Sequence, residues 1–317
     1  MTAVPANSQV CVTNTLQRFV ETEHGLLQVM VSWPLGWKGD GTPPHDEDMM
    51  GMPVFFLLDG NAYFLTATDV VRRQQYVTRK KSIVVGIGYS GYDTVYVPLR
   101  RSFDLTPPAS KGLPQRPIIG VDGKEEKDEA GNTKYYRMGG AASFHETIKT
   151  IVVPMVARDM LPGLPWDSFK KVLFGHSFGG LFTLFSLFTD PGVFDIYVAG
   201  SPSIWFNDCA LEEHEKHFLE ITTDKKPLLY INSGSAEEDD IFRKPQDTDE
   251  KFKEREEFLK SHKMNTYARE MAKRMEASGK LREVWLQEFS LEDHGGAAVV
   301  GLQRSINKVL GEWWEGK

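Results

Sequence analysis

A serine in a glycine-rich turn is the first residue of this sequence that could do covalent chemistry. Ser177 lies in the motif Gly-His-Ser-Phe-Gly at residues 175–179, directly after the apolar run 171–174 and before the apolar stretch 180–188. A strand, a G-x-S-x-G turn and a helix in this order are typical of the nucleophile elbow, whose glycines let the backbone crowd around an exposed hydroxyl. We therefore predict that Ser177 is a nucleophile for acyl transfer. The alternative is an ordinary glycine-rich turn.

A serine nucleophile needs a general base, and the chain has eight histidines. Three of them precede the serine, whereas hydrolases with this elbow run in the order serine, acid, histidine. His176 adjoins the serine on a turn where neighbouring side chains diverge, and three others lie in charged, helix-like stretches. His294 remains: it follows the apolar run 284–289, precedes the last predicted helix, and could accept the Ser177 proton at the carboxyl edge of a sheet. The alternative is an ordinary loop histidine.

The acid that would orient this histidine is expected after the apolar run 228–231, where four acidic residues crowd one turn. Glu237 stands three residues after Gly234, a glycine-to-acid spacing common at this point of such folds. Glu238 is the main alternative and Asp293 a weaker one. The acids that are not used would form a solvated loop.

Two backbone amides are predicted to stabilise the oxyanion that forms when an ester carbonyl is attacked. One is the amide of Phe178, because the residue after the nucleophile supplies such a donor in this turn. The other is the amide of Asn61, which follows the apolar run 54–58 and a glycine that permits unusual backbone angles. An ordinary strand-to-helix turn is the alternative for Asn61.

The elements that must position these residues alternate along the chain. Short apolar runs bounded by turn residues predict strands at 26–32, 54–58, 82–87, 171–174, 196–199, 228–231 and 284–289. Helical spacing recurs at 62–73, 144–155, 181–188, 264–277 and 301–310. This alternation, with the elbow at its centre, predicts an α/β-hydrolase fold: a mostly parallel central sheet flanked by helices on both faces. The first two strands precede any clear helix and are expected to form an antiparallel start.

Three segments interrupt this alternation of strands and helices. We predict that they are surface insertions in a single α/β-hydrolase domain over 1–317. Segment 36–51 is rich in glycine, proline and acids, and segment 106–138 carries four prolines followed by a charged stretch. Segment 237–263 is highly charged with few apolar residues, which predicts a solvated helix or a mobile flap beside a cleft.

The composition excludes several classes of protein. With 37 basic and 44 acidic residues the formal charge is −7, so a basic surface for nucleic acid is not expected. The 41% hydrophobic and 26% charged residues argue against disorder. Two distant cysteines form no disulfide framework or zinc motif, and neither a secretory signal nor a membrane span is recognisable, so we expect a cytoplasmic protein.

Six ordered motifs resemble the siderophore esterase branch of the esterase-D-like α/β-hydrolases, which acts on ferri-bacillibactin, enterobactin and fungal triacetylfusarinine C. They are LLDGNAYF, RRSFDLTP, GGAASFHETI, GHSFGGLFTLFSLF, FDIYVAGSPSIWFN and EDHGG. The resemblance implies a serine esterase that opens an ester of a ferric siderophore through an acyl-enzyme on Ser177 and so releases iron inside the cell. It implies no metal or cofactor of the protein's own, because iron would arrive with the small-molecule substrate.

The resemblance also implies that Arg100, Arg101 and Trp205 approach the substrate. The arginines could donate paired hydrogen bonds to substrate oxygens and the indole could stack on a flat chelate. Alternatively, either arginine pairs with Asp104, and Trp205 belongs to the core.

The negative net charge disfavours a highly anionic ferric tris-catecholate and favours a neutral hydroxamate such as the cyclic triester triacetylfusarinine C. Two other functions remain open. One is a general carboxylesterase or thioesterase such as S-formylglutathione hydrolase, and the other is a siderophore-binding protein without catalytic activity.

Overall fold

The computed structural model describes residues 11–91 and 94–313. Within this part, eight strands form one sheet in the order β1-β2-β4-β3-β5-β6-β7-β8. Their bounds are Thr15–Thr22 (β1), Gly25–Ser32 (β2), Pro53–Leu57 (β3), Ile83–Tyr89 (β4), Lys170–His176 (β5), Ile196–Gly200 (β6), Leu228–Gly234 (β7) and Glu283–Phe289 (β8). Only β2 among them runs opposite to the others, so the sheet is mixed but mostly parallel, as predicted.

The antiparallel start of the sheet differs from the prediction. β2 and β3 run in opposite directions, but β4 lies between them, so the expectation that they pair with each other was wrong: β2 is antiparallel to β1 and β4, and β3 is parallel to both of its neighbours. The true antiparallel partner, β1, was not predicted. Because Val20 is its one buried residue, β1 lacks the apolar alternation by which a half-buried strand is recognised.

Helices cover both faces of the sheet. Their bounds are Gly60–Thr78 (α1), Pro98–Asp104 (α2), Ala141–Thr147 (α3), Val153–Met155 (α4), Phe178–Thr189 (α5), Phe206–Cys209 (α6), Leu211–Glu220 (α7), Asp249–His262 (α8), Met264–Ala277 (α9) and His294–Lys308 (α10). Successive residues of β3 illustrate the two layers: Phe55 packs in the core layer formed with α1 and α10, and Phe56 packs in the layer formed with α5 and α9.

Helix α5, which follows the elbow, is buried along nearly its whole length. Its polar side chains are paired within the core: Thr183 Oγ1 donates to the Gly179 carbonyl at 2.9 Å, and Ser186 Oγ lies 3.1 Å from Nδ1 of buried His145. The apolar run after the elbow is therefore a core helix that fixes the serine turn from one side.

The three predicted insertions have distinct structures. Segment 36–51 consists of turns and irregular backbone, and residues 117–135 pair through isolated bridges that end at Pro117 and Tyr135. Most of the third segment is α8, which has no buried residue. Among residues 11–91 and 94–313, no helix is both long and apolar enough to cross a membrane.

Candidate active site

Ser177 occupies the sharp turn between β5 and α5. Its backbone adopts φ 62° and ψ −118°, a conformation that a residue with a side chain rarely takes, and its amide donates to the Gly200 carbonyl at 2.9 Å. A Cβ placed on Gly175 would lie 2.2 Å from the Gly179 carbonyl oxygen. The turn is thus a strained elbow that only a glycine at position 175 allows to close.

His294 and Glu237 lie at the carboxyl ends of neighbouring strands, and their side chains meet. Glu237 follows β7 in a single 3₁₀ turn, and its Oε2 lies 2.5 Å from Nδ1 of His294, the first residue of α10. The other oxygen, Oε1, accepts from Ser201 Oγ at 2.6 Å and from the Gly234 amide at 2.8 Å. The Glu237 side chain is 1% exposed and the His294 side chain is 44% exposed. A buried carboxylate therefore binds Nδ1 of a half-exposed imidazole, and Nε2 of that ring stays available to a group in the cleft.

The two other acids considered for this role contact different partners. Glu238 accepts from the amide of Thr266 at 2.8 Å and from its hydroxyl at 2.5 Å, which fixes the turn to the start of α9. Asp293 accepts from the Gly296 amide at 3.0 Å as the cap of α10, and it pairs with Lys244 at 2.7 Å. Of the three, Glu237 is the acid that contacts His294.

The two predicted oxyanion donors begin two different helices. Phe178 is the first residue of α5, where the helix N-terminus favours negative charge. Asn61 is the second residue of α1, and its side chain exchanges hydrogen bonds with the backbone of Tyr89 at 3.0 and 2.7 Å. Asn61 lines a separate cavity of about 690 Å³ rather than the cleft at the serine.

His176 forms a contact that the sequence did not suggest. Its ring lies 4.5 Å from the ring of His294, centroid to centroid, and its residue is 4% exposed. Burial, reinforced by the nearby His294 and Arg101, holds the pKa of His176 well below its usual value. Its Nε2 has no hydrogen-bond partner in the described part of the chain. The buried, neutral imidazole of His176 therefore packs against His294, the candidate base.

The two predicted substrate arginines have different environments. Arg101 lines the cleft and donates from Nε and Nη2 to the two oxygens of Asp59, each at 3.0 Å. Arg100 instead pairs with Asp104 at 3.1 Å and lies over the ring of Tyr89, outside the residues that line the cleft. The alternative of pairing with Asp104 thus holds for Arg100 alone.

The serine opens into a cleft of about 310 Å³. Its lining residues are Arg101, Arg116, Ser177, Phe178, Ser203, Trp205, Glu237, Phe258, Leu259, His262, Met264 and His294. Trp205 lies in this wall, with its ring 4.1 Å from that of His262 and its Nε1 3.0 Å from Met264 Sδ. The cleft therefore brings Ser177, His294, Glu237, Arg101 and Trp205 together.

One side of the cleft is formed by two insertions, of which segment 237–263 was predicted to be a solvated helix or a flap beside a cleft, whereas segment 106–138 was predicted only to be a surface insertion. Phe258, Leu259 and His262 come from α8, and Arg116 comes from the proline-rich segment 106–138. The adjacent apolar residues Phe258 and Leu259 could have indicated that α8 contacts the cleft, because the residues around them in the sequence are highly charged.

Comparison with known proteins adds an independent line of evidence. The chain is 37% identical over 282 residues to the siderophore enterobactin esterase of Emericella nidulans, covering 87% of this chain and 86% of that protein. It is 30% identical over 312 residues to the siderophore triacetylfusarinine C esterase of Aspergillus fumigatus, covering 95% and 94%. The structure of the siderophore hydrolase EstA from Aspergillus nidulans superposes with a TM-score of 0.82 at 33% identity, covering 98% and 99%. No family model matches the chain.

Proposed function

Because the chain belongs to the siderophore esterase family of α/β-hydrolases, we propose that it hydrolyses ester bonds of an iron-loaded siderophore, a cyclic triester such as triacetylfusarinine C. The protein is a carboxylic ester hydrolase of the serine type. One observation carries the assignment of its site: strained Ser177 shares a cleft with His294, whose Nδ1 is held at 2.5 Å by buried Glu237.

In the first half of the reaction, Ser177 Oγ attacks the ester carbonyl while His294 Nε2 accepts the hydroxyl proton. The tetrahedral intermediate carries its negative charge on the former carbonyl oxygen. The Phe178 amide, at the N-terminus of α5, is the proposed donor to that oxygen. Because the Asn61 side chain is bonded to the Tyr89 backbone and Asn61 lines another cavity, only its backbone amide, in the first turn of α1, is proposed as a second donor. The intermediate then expels the alkoxide, which takes the proton from His294 and leaves as the alcohol arm of the siderophore.

In the second half, a water molecule attacks the acyl-enzyme and His294 accepts its proton. The second tetrahedral intermediate expels Ser177 Oγ, which takes the proton back from His294, and the product acid releases a proton to solvent to become a carboxylate. Glu237 contributes throughout, because a carboxylate fixed by Ser201 and Gly234 keeps the imidazole tautomer with its proton on Nδ1 and stabilises the imidazolium.

The walls of the cleft are suited to a bulky ligand that carries planar chelating groups. Trp205, Phe178 and Phe258 supply aromatic surface, and Arg101 presents a guanidinium whose charge is balanced by Asp59. We also propose that the reaction occurs in the cytoplasm, where both free cysteines, Cys11 and Cys209, would stay reduced.

A substrate panel tests this proposal against the alternatives. We expect kcat/KM to be highest for ferric cyclic triesters and lower for their iron-free forms and for short acyl esters. A preference for S-formylglutathione or p-nitrophenyl acetate over every siderophore ester would favour a general carboxylesterase or thioesterase. Tight binding of the siderophore with no hydrolysis of any ester would favour a binding protein.

A further inference from the structure

The cleft at the serine continues into a second pocket. This adjoining pocket has a volume of about 550 Å³, larger than the 310 Å³ of the cleft itself. Five residues line both: Arg116, Phe178, Trp205, Phe258 and His262. When an ester bond lies at Ser177, the rest of a bulky substrate therefore has one continuous, aromatic-walled space to enter.

Most charged groups around this combined space lie close to a partner in the described part of the chain. Arg101 is paired with Asp59, and the Glu237 carboxylate contacts the candidate base. Asp208, in the adjoining pocket, has the Lys111 ammonium at 3.6 Å. Glu237 keeps its negative charge while His294 is neutral, but it is buried behind that ring, and Arg101 is paired, so these groups offer a substrate little free positive charge.

Arg116 is the exception. It is exposed, it lines both pockets, and in the described part of the chain no carboxylate lies within ion-pair distance of it. Its guanidinium carbon lies 5.5 Å from the centre of the Tyr136 ring, and its backbone carbonyl accepts from the Tyr136 amide at 2.9 Å. The aromatic neighbour and the backbone pairing hold the residue beside the cleft while its N–H donors stay available.

We propose that Arg116 forms a subsite for an oxygen anion of the substrate, next to the aromatic wall of Trp205 and Phe258. The inference rests on the proposed function and specifies which esters the same site favours. A guanidinium binds a carboxylate or another oxygen anion through paired, charge-assisted hydrogen bonds and gains little from a neutral group.

The chemistry of a cyclic triester supplies such an anion. Adding one water to one ester bond yields a hydroxyl group, a carboxylate and a released proton, so the opened, linear ester carries a charge that its neutral cyclic parent lacks. Catecholate oxygens bound to iron are a second source of oxygen anion. The subsite therefore favours the linear intermediates over a neutral ring, so that bonds remaining after the first cleavage are hydrolysed efficiently.

The test compares three substrates: a neutral ferric cyclic hydroxamate triester, its linear carboxylate product, and a ferric cyclic catecholate triester. The proteins are the wild type, Arg116→Gln, Arg116→Lys and the matched control Arg137→Gln. Arg137 is an exposed arginine of the same segment that stacks on Phe103, 4.4 Å away, and lines neither pocket. Its loss changes the net charge equally.

We expect Arg116→Gln to lower kcat/KM for the linear ester about five- to tenfold more than for the neutral ring. Arg116→Lys should recover part of this difference, and Arg137→Gln should leave the ratio at its wild-type value. A selective loss on the linear ester assigns the subsite to the carboxylate, and one on the catecholate alone assigns it to the chelate.

Two results would overturn the subsite alone: equal effects of Arg116→Gln on neutral and anionic substrates, or the same selective loss in Arg137→Gln. A wild-type protein that hydrolyses none of the three substrates would overturn the proposed function and the subsite with it. The two failures are therefore distinguishable.

Discussion

The rings of His176 and His294 lie 4.5 Å apart with their planes tilted by 45°. One ring is buried and the other half exposed, so the pair places a neutral imidazole directly behind the candidate base. A second positive charge at His176 would raise the free energy of a protonated His294. Keeping His176 neutral therefore favours the imidazolium that the proposed mechanism requires.

The lowered pKa of His176 makes stability depend on pH. In the unfolded chain a histidine titrates near ~6.5, whereas in the folded protein burial keeps His176 neutral well below that pH. Below about pH 6.5 the unfolded state binds the extra proton, so the free energy of unfolding falls with falling pH, by up to about 1.4 kcal/mol per pH unit. Buried His145, whose pKa is also lowered by burial, contributes in the same direction.

His176→Phe should make this dependence shallower, because the variant keeps an aromatic ring but has no proton to bind there. We expect the slope of unfolding free energy between pH 6 and 5, measured with urea, to fall by about 1 kcal/mol per pH unit. An unchanged slope would show that His176 is not held neutral in the folded protein.

Glu237 and Glu238 are adjacent acids with different contacts, which makes them a matched pair. Glu237→Gln should lower kcat about 10²- to 10⁴-fold, because an amide cannot hold the imidazole in the required tautomer and charge state. Glu238→Gln should lower kcat less than about threefold, since it contacts α9 instead. Steady-state kinetics on p-nitrophenyl acetate decides between them, and a reversal of the two effects would move the acid to Glu238.

The glycines of the elbow differ in the space around them. Gly175→Ala would place a methyl group 2.2 Å from the Gly179 carbonyl, so we expect a loss of unfolding free energy greater than about 2 kcal/mol. In Gly179→Ala the nearest atom outside the helix lies 3.6 Å away, and alanine favours the helix, so stability should change by less than about 1 kcal/mol. Equal costs in thermal unfolding would contradict the crowded turn.

The ion pair between Asp59 and Arg101 is buried, with side-chain exposures of 1% and 15%. Asp59→Asn leaves the guanidinium without its countercharge, so we expect a loss of about 3 kcal/mol of unfolding free energy. Asp69→Asn, in the exposed pair with Arg73, should cost less than about 0.5 kcal/mol. Urea denaturation of both variants measures the difference, and similar small losses would show that Arg101 is well solvated without Asp59.

Much of this architecture is readable from the sequence where the signal is local. An apolar strand, a crowded G-x-S-x-G turn and an apolar helix lie within twenty residues of one another around Ser177, so the elbow's neighbours in sequence are its neighbours in space. The strands of the parallel core were recognisable for the same reason. β1 was not, because it is an exposed edge strand with little to bury.

Features that depend on tertiary packing were harder to predict from the sequence. Glu237 and Glu238 have the same side chain, and only the geometry of a short 3₁₀ turn sends one towards His294 and the other towards Thr266. Arg116 and helix α8 reach the cleft from polar insertions that have no core periodicity. Their place beside the serine is set by the chain as a whole.

The central claim is that Ser177 is the nucleophile that hydrolyses a siderophore ester. The most direct measurement follows the mass of a ferric cyclic triester incubated with the wild type or with Ser177→Ala, after circular dichroism has shown that the variant is folded. We predict that the wild type adds one water per cleaved ester and that Ser177→Ala does so at least about 10⁴-fold more slowly. Hydrolysis by folded Ser177→Ala at the wild-type rate would contradict the account.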